Sequence, residues 1–368
     1  MANKTFFKIS AAILLALALI SYFGDWQFSG DLLLAAALAL LAFFAWSWSW
    51  TYTPDGRLDY RAAVTLHLLS FNVTLKPDPE SDFRIKLPIN LIYLLSSLMP
   101  KARVERSEDI VIEHSGLKIP ARVYWPIVAG DQKPPLLVYY HGGGFVMGSP
   151  KDFDPMVRAI AAATGAITVS VDYRLAPRHP YPAAVEDAWA ALQWGAENAS
   201  ELGADGEQIL VGGDSAGGNL AAVMSSRARD ENGPQLAGQI LYYPATAWAS
   251  DENWPGNLKC TDGYGLSTDA LIGFRDAYCG HLEDTALPWL SPNLATRFDG
   301  LPPTLLVTAG FDPLTEGVLG YEQLLREAGV PVTLAHYPET IHGFVTVSFF
   351  KQQRAALEKT AAFIAGLK

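Results

Sequence analysis

From residue 103 onward, the hydrophobic positions form short apolar runs that alternate with longer stretches in which apolar and polar residues repeat with helical spacing. The short runs predict buried β-strands at 108–113, 118–125, 135–140, 167–172, 208–212, 238–243, 303–309 and 331–337. The longer stretches predict helices at 153–164, 183–198, 217–230, 315–328 and 346–367. Such alternation is typical of a mostly parallel twisted sheet flanked by helices. The first two strands have no helix between them, which predicts an antiparallel start.

Two apolar stretches, 6–23 and 32–50, differ in kind from the rest of the chain. The first contains one charge, Lys8, the second contains none, and each is long enough to cross a hydrocarbon core of about 30 Å as a helix. Lys4 precedes the first stretch and Lys8 lies near its start, whereas Arg57 and Arg61 follow the second. Because positive residues favour the cytoplasmic side, the pattern predicts a two-span hairpin anchor with both ends in the cytoplasm.

Three other interpretations of these stretches stay open. They are a cleaved signal peptide over 6–23, a single signal-anchor span that places the rest of the chain outside, and two amphipathic or core helices of a cap. No small-residue cleavage pattern is found near 21–24. Neither stretch has a polar face, which a helix on the surface of a soluble core would need. The hairpin anchor is therefore the favoured interpretation.

The segment 213–217 has the pattern G-x-S-x-G, with Ser215 at its centre. It lies between a predicted strand and a predicted helix, the setting in which this motif forms a sharp turn that exposes the serine hydroxyl above the sheet. Glycines flank the serine because a β-carbon at those positions would collide with the neighbouring strand and helix. The motif predicts that Ser215 is a nucleophile.

A second motif, His141-Gly142-Gly143-Gly144, follows the predicted strand 135–140. Alone, a run of three glycines indicates a flexible turn. The same run also lets several backbone N–H groups point at one place, and such groups stabilise the oxyanion that forms during acyl transfer. In combination with the serine turn, the run predicts an oxyanion hole.

A serine nucleophile needs a base, and the base needs an acid that orients it. In proteins with this turn, the acid and then the histidine follow the serine along the chain. His336 lies within a predicted strand, whereas His342 follows that strand in a loop, so His342 is the predicted base. Asp312 follows the predicted strand 303–309 and is the predicted acid, with Glu316 as the alternative.

The motifs HGGGF, VDYRLAP, GDSAGGNL, FDPL and IHGF, in this order, resemble those of the hormone-sensitive-lipase family of α/β-hydrolases, whose bacterial members are called family IV esterases. The resemblance covers about residues 103–368. It implies that Ser215, Asp312 and His342 form the catalytic triad. It also implies that the backbone N–H groups of Gly143, Gly144 and Ala216 form the oxyanion hole. His141 and Gly142 are implied to hold the glycine loop in place. The family hydrolyses carboxylic esters of short or medium acyl chains and uses no metal or organic cofactor.

The apolar stretches and the resemblance together predict a division of the chain into three parts. Residues 1–50 are the predicted membrane anchor, 51–102 are the N-terminal part of a helical cap, and 103–368 are the catalytic domain with a cap insertion at about 245–300. The predicted location is the bacterial inner membrane, with the catalytic domain facing the cytoplasm. The insertion is rich in aromatic residues that either line the substrate pocket or, as we favour, anchor the cap: Trp248, Trp254, Tyr264, Phe274, Tyr278 and Trp289.

Charge and cysteine content narrow the possible partners. The formal net charge is −11 and no basic stripe is present, which argues against nucleic acid as a partner. Cys260 and Cys279 have no zinc-site spacing, so they predict no metal site. Free thiols are expected, because a disulfide requires an oxidising compartment.

Several functions remain compatible with these motifs. A membrane-anchored ester hydrolase acting on short- to medium-chain or lipophilic esters is the leading hypothesis. An amidase, a lactonase or a deacetylase would use the same triad, since each attacks an acyl carbon. A ligand-binding receptor on this fold, as in the plant gibberellin receptors, would lack a working base, whereas this chain retains one. A scaffold that recruits partners to the bilayer is the last alternative.

Overall fold

The computed structural model describes residues 42–69, 101–128, 133–248, 258–261, 263–283, 285 and 287–367. The chain forms two compact units that divide between His67 and Leu68. In the described residues, no helix is both long and apolar enough to span a membrane. The predicted span 6–23, the first part of the predicted span 32–50 and residues 70–100 of the predicted N-terminal cap part lie outside the described residues.

The described part of the N-terminal unit is rich in aromatic contacts. Residues 42–49 are helical, the short strands Tyr52–Thr53 and Gly56–Arg57 pair as a hairpin, and a helix begins at Tyr60 and ends at Leu69. The ring of Trp50 stacks on that of His67 with centroids 4.4 Å apart. These contacts extend the unit beyond the predicted boundary at residue 50, and the division of the chain at residues 50 and 102 stays a prediction.

An eight-stranded sheet organises the larger unit. Its strands are β1 (Arg106–His114), β2 (Leu117–Trp125), β3 (Pro135–Tyr140), β4 (Ile167–Val171), β5 (Asp205–Asp214), β6 (Gly238–Tyr242), β7 (Thr304–Phe311) and β8 (Val332–Ile341). They lie in the order β8-β7-β6-β5-β3-β4-β2-β1. Strand β2 is antiparallel to both β1 and β4, and all other neighbours are parallel. The mostly parallel sheet with an antiparallel start is therefore confirmed.

Burial explains why these strands were visible as short apolar runs. All five residues of β4 and all five residues of β6 are buried. A parallel strand covered by helices on both faces carries apolar residues along its whole length instead of alternating them with polar ones. The central strands of this sheet are therefore mainly hydrophobic, and their few polar residues, such as Thr168, Ser170 and Gln239, are buried as well.

In the described part of the larger unit, six helices flank the sheet or belong to the insertion. They are α1 (Asp154–Thr164), α2 (Ala183–Leu202), α3 (Ala216–Asp230), α4 (Thr268–Cys279), α5 (Thr315–Glu327) and α6 (Lys351–Ala365). Five of them were predicted, although α6 begins later than residue 346 because a 3₁₀ turn, Phe344–Thr346, precedes it. Helix α4 was not predicted. Its N-cap is Ser267, whose hydroxyl accepts the backbone N–H of Ala270 at 3.2 Å.

An arginine joins the insertion to two helices of the main layer. Arg227 on α3 is buried, and its guanidinium lies 4.9 Å from the ring of Trp189 on α2 and 4.6 Å from the ring of Trp289 in the insertion. It also forms ion pairs with Glu186 and Glu231, each at 3.0 Å. A guanidinium between two aromatic faces gains cation–π energy on both sides. Trp289 therefore anchors the insertion.

Two further rings of the insertion have the same role. Tyr278 on α4 stacks face to face on Phe145, with ring centroids 3.8 Å apart. Tyr264 contacts Phe311 at the end of β7, at a centroid distance of 5.0 Å. Trp254 lies outside the described residues. Ring contacts of this kind fix the insertion over the carboxyl ends of the strands, where the candidate site lies.

Candidate active site

Ser215 occupies a sharp turn between β5 and α3. Its backbone has φ +54° and ψ −117°, which a residue other than glycine adopts only when its surroundings force it. A β-carbon on Gly213 would lie 2.3 Å from the backbone of Gly217, and one on Gly217 would lie 1.9 Å from the carbonyl oxygen of Tyr140. The two glycines are thus required because the backbones of β5, α3 and the neighbouring strand β3 lie too close together for a side chain at either position.

Ser215, His342 and Asp312 form one chain of hydrogen bonds. The Ser215 hydroxyl and His342 Nε2 are 2.9 Å apart, and His342 Nδ1 is 2.8 Å from Asp312 Oδ2. An ionised carboxylate only accepts hydrogen bonds, so Nδ1 carries the proton and donates it to Asp312. The free lone pair of Nε2 then accepts the hydroxyl of Ser215. This arrangement suits proton removal from the serine.

Contacts with neighbouring residues fix the side chains of this hydrogen-bonded series. Asp312 is buried, and its second oxygen accepts the backbone N–H of Leu314 at 2.9 Å. His342 follows β8 directly, and the ring of Tyr243 lies 4.8 Å from its imidazole. The three residues follow different strands, yet the carboxyl ends of parallel strands meet at one edge of the sheet. Ser215 and His342 are consequently brought together although they are distant in the sequence.

The glycine motif forms a loop beside Ser215. Gly143 and Gly144 have φ values of +116° and +62°, which favour glycine. A β-carbon on Gly144 would lie 2.4 Å from the ring of Phe274. Gly144, Ser215 and Ala216 line the same pocket, whereas Gly143 is not among its lining residues. Ala216 is the first residue of α3, where backbone N–H groups have no partner within the helix.

His141 lies underneath the loop and does not face the serine. Its ring is buried, stacks on that of Tyr173 at 4.4 Å, and places Nδ1 2.7 Å from the carbonyl oxygen of Gly142. The hydroxyl of Tyr173 donates to the carbonyl oxygen of His141 at 2.7 Å. Burial lowers the pKa of His141 to about 4, so the ring is neutral at physiological pH. This position suits the predicted support of the loop.

The two alternative site residues are bonded elsewhere. His336 is exposed on β8, and its Nδ1 lies 2.7 Å from the hydroxyl of Thr308 on β7. Glu316 is exposed on the first turn of α5 and forms an ion pair with Lys259 at 2.9 Å. Neither side chain belongs to the hydrogen-bonded chain at Ser215.

The pocket at Ser215 is narrow and almost entirely apolar. Its cavity volume is about 10 Å³. Besides Gly144, Ser215 and Ala216, it is lined by Ala245, Ala247, Trp248, Leu266, Leu271, Phe274 and Leu314. A cavity volume of about 10–15 Å³ is needed to hold one water molecule. This wall therefore suits a small uncharged group.

Phe274, for which the sequence favoured the role of a cap anchor, lines the pocket at Ser215. It lies on α4, the helix that was not predicted, and its ring packs directly against Gly144. The helical spacing of Leu271, Phe274 and Tyr278 was a signal that could have revealed the helix. Which of these rings lines the pocket depends on contacts with a loop far away in the sequence.

In the part of the chain that the structure describes, no group of three or more His, Cys, Asp or Glu side chains is arranged to hold a metal ion. Cys260 and Cys279 are free thiols. Burial raises the pKa of Cys279 to about 11, so this thiol is protonated at neutral pH.

A family model described as alpha/beta hydrolase fold matches residues 137–346, more than half of the chain. The carboxylesterase NlhH of Mycobacterium tuberculosis is 45% identical over 276 residues, which cover 74% of this chain and 84% of that protein. The chain belongs to the hormone-sensitive-lipase family of α/β-hydrolases. Esterase LipI of the same organism is 43% identical over 242 residues, covering 65% of this chain and 75% of that protein.

Solved structures of this family have the same fold. A hyperthermophilic esterase from the archaeon Pyrobaculum calidifontis is 38% identical, with a TM-score of 0.69 over 76% of this chain and 91% of that chain. The thermostable carboxylesterase EstE1, cloned from a metagenomic library, is 37% identical, with a TM-score of 0.69 over 76% and 95% of the two chains. The protein is thus a serine carboxylesterase-like hydrolase.

Proposed function

We propose that this protein hydrolyses carboxylic esters through an acyl-enzyme intermediate on Ser215. The observation that carries the proposal is the unbroken hydrogen-bonded chain from the Ser215 hydroxyl through His342 to the buried Asp312. Relatives named as esterases and carboxylesterases support the choice of an ester over an amide or a lactone. A complete chain of nucleophile, base and acid also argues against a receptor that only binds its ligand.

The geometry suggests how the residues perform each step. Ser215 Oγ bonds to the acyl carbon while its proton passes to His342 Nε2 and the carbonyl electron pair moves onto oxygen. The imidazolium, stabilised by Asp312, then gives its proton to the departing alcohol. A water molecule, deprotonated by His342, attacks the acyl carbon, and Ser215 Oγ leaves with the proton. The products are a carboxylic acid and an alcohol.

The oxyanion formed in both steps needs donors, and the glycine loop and α3 supply them in this proposal. The backbone N–H groups of Gly143, Gly144 and Ala216 are the proposed donors. Gly144 and Ala216 line the pocket that contains Ser215. Each such donor is typically worth about 3–4 kcal/mol, because it is fixed in place before charge develops.

The substrate we propose has a short, uncharged acyl group. Among the described residues, no charged side chain lines the pocket, and Phe274, Leu271 and Trp248 narrow it. An apolar pocket discriminates between acyl groups that differ by one methylene by roughly 10- to 200-fold in kcat/KM. Preference for acetyl to butyryl esters over longer ones is therefore expected.

A chain-length series tests this substrate class. With p-nitrophenyl esters, kcat/KM of the wild-type protein is expected to fall beyond butyrate. The variant Phe274→Ala is expected to raise kcat/KM for octanoate by roughly ten-fold, because it opens the pocket next to Gly144. Phe298→Ala is the matched control, since that ring contacts Tyr321 and does not line the pocket. An unchanged chain-length profile in Phe274→Ala would contradict the proposal.

We also propose that the chain is anchored in the bacterial inner membrane, with its catalytic domain in the cytoplasm. The support is the apolar character of 6–23 and 32–50, with positive residues on both flanks. Trp46 and Tyr52 are 62% and 64% exposed, and tryptophan and tyrosine are enriched at membrane interfaces.

Fractionation of bacteria that express the full chain tests the anchor. The protein is expected to sediment with membranes and to resist carbonate extraction, because two apolar helices bind the bilayer far more strongly than a surface contact does. Protease added to spheroplasts is expected to spare the catalytic domain. Recovery in the carbonate wash would refute the anchor, and digestion from outside would refute the orientation.

A further inference from the structure

Asp214, the residue directly before the nucleophile, carries a carboxylate that the triad does not use. It lies at the end of β5 and is only 3% exposed. Its Oδ1 accepts two hydrogen bonds, from the hydroxyl of Tyr139 at 2.8 Å and from the backbone N–H of Gly142 at 2.9 Å. Gly142 is the first glycine of the loop that is proposed to hold the oxyanion.

Burial of this carboxylate is energetically unfavourable. In the described residues, no lysine or arginine forms an ion pair with Asp214. A buried charge without a cationic partner costs several kcal/mol, offset only in part by hydrogen bonds. Burial accordingly raises the pKa of Asp214 to about 6, despite the bonds from Tyr139 and Gly142 and the nearby His342. Fold stability alone does not explain this residue.

The contact between Asp214 and the loop is close as well as directional. A β-carbon on Gly142 would lie 2.4 Å from Asp214 Oδ2 and 3.0 Å from its carbonyl oxygen, so the loop backbone rests directly on this residue. Asp214 is also covalently joined to Ser215. One residue therefore connects the strand that presents the nucleophile to the loop that carries Gly143 and Gly144.

We infer that Asp214 is a positioning residue for the oxyanion hole, which fixes the glycine loop relative to Ser215 through the backbone N–H of Gly142. The inference rests on the proposed acyl-enzyme function. Oxyanion donors act on charge that is present only near the transition state. Misplacing them lowers kcat and leaves KM nearly unchanged, whereas a defect in substrate binding raises KM.

The test compares three variants of the full chain with p-nitrophenyl butyrate. In Asp214→Ala the acceptor is lost, and kcat is expected to fall by about 100-fold with KM within about three-fold, the loss typical of one oxyanion donor. Asp214→Asn keeps an acceptor oxygen and is expected to recover kcat to within about ten-fold of wild type. Tyr139→Phe leaves the Gly142 bond intact and is expected to change kcat by no more than about three-fold.

A second readout separates positioning from a general loss of structure. A trifluoromethyl ketone adds to the serine and places an oxyanion in the hole, so its affinity is expected to fall in Asp214→Ala in proportion to kcat. The affinity for the product acid, which carries no tetrahedral oxyanion, is expected to stay unchanged. If the alanine variant does not fold, Asp214→Glu serves instead, because the longer side chain displaces the carboxylate and is expected to lower kcat alone.

The outcomes distinguish this inference from the proposed function. Absence of ester turnover in the wild-type protein would refute the function. Wild-type turnover together with an unchanged kcat in Asp214→Ala, or in Asp214→Glu where that variant is used, would refute the positioning role alone. A rise in KM at constant kcat, or a ketone affinity that does not follow kcat, would refute it equally.

Discussion

Replacement of Ser215 by alanine is expected to lower kcat for p-nitrophenyl butyrate by at least about 10⁴-fold, because the variant has no nucleophile for the base to activate. The residual rate would come from the oxyanion donors and substrate binding alone, which still exceed the reaction in water by about 10³–10⁴. Alanine removes one oxygen and leaves the strained turn in place, so the thermal unfolding midpoint is expected to stay the same or rise. Steady-state kinetics and thermal unfolding measure the two effects.

The control for this variant is Ser200→Ala, a serine that is exposed near the end of α2. A fluorophosphonate probe adds a direct check, since it reacts only with an activated serine. The wild-type protein and Ser200→Ala are expected to be labelled on the peptide that contains Ser215, and Ser215→Ala is expected to remain unlabelled. Turnover by Ser215→Ala within about ten-fold of wild type would show that another residue is the nucleophile.

The sheet was predictable because its central strands are buried on both faces. Segments such as Ile167–Val171 are buried throughout, are rich in β-branched residues and end in polar turns, a pattern that few other structures share. Helix α4 was overlooked for a physical reason. It does not belong to the alternation of strands and helices, and it contains Gly273 and two aromatic residues, which have low intrinsic helix propensity.

The positions of the candidate site residues were predictable from topology. A serine turn, a glycine run, an aspartate and a histidine each follow a different strand, and parallel strands bring their carboxyl ends to one edge. The same reasoning separated His342 from His336, because a side chain within a strand is committed to a sheet face. Strand ends thus determine the location of the site without any knowledge of side-chain contacts.

Side-chain contacts between distant segments could not be predicted. The bond from Gly142 to Asp214, and the ring of Phe274 against Gly144, depend on how closely two loops approach after the sheet has formed. No local pattern encodes such distances, because close contact in a folded core is set by tertiary structure. These contacts are nevertheless the ones from which substrate size and positioning of the loop are inferred.

The variant Asp312→Asn tests the acid of the proposed triad and is expected to lower kcat by about 10³- to 10⁴-fold. The amide nitrogen that replaces Asp312 Oδ2 donates a hydrogen bond. It therefore favours an unprotonated Nδ1 on His342 and the tautomer with the proton on Nε2. In that tautomer Nε2 no longer accepts the proton of Ser215. The amide also gives the imidazolium no compensating charge. KM is expected to change little, because Asp312 does not line the pocket.

Glu316→Gln is the matched control, since it removes the same type of charge from the nearest alternative carboxylate. Glu316 is exposed and pairs with Lys259, so its neutralisation is expected to change kcat by less than about two-fold. If Glu316→Gln caused the larger loss, the acid would have to be reassigned and a movement of α5 toward His342 would be required. If both variants kept full activity, His342 would act without an orienting carboxylate, and the triad as proposed would be wrong.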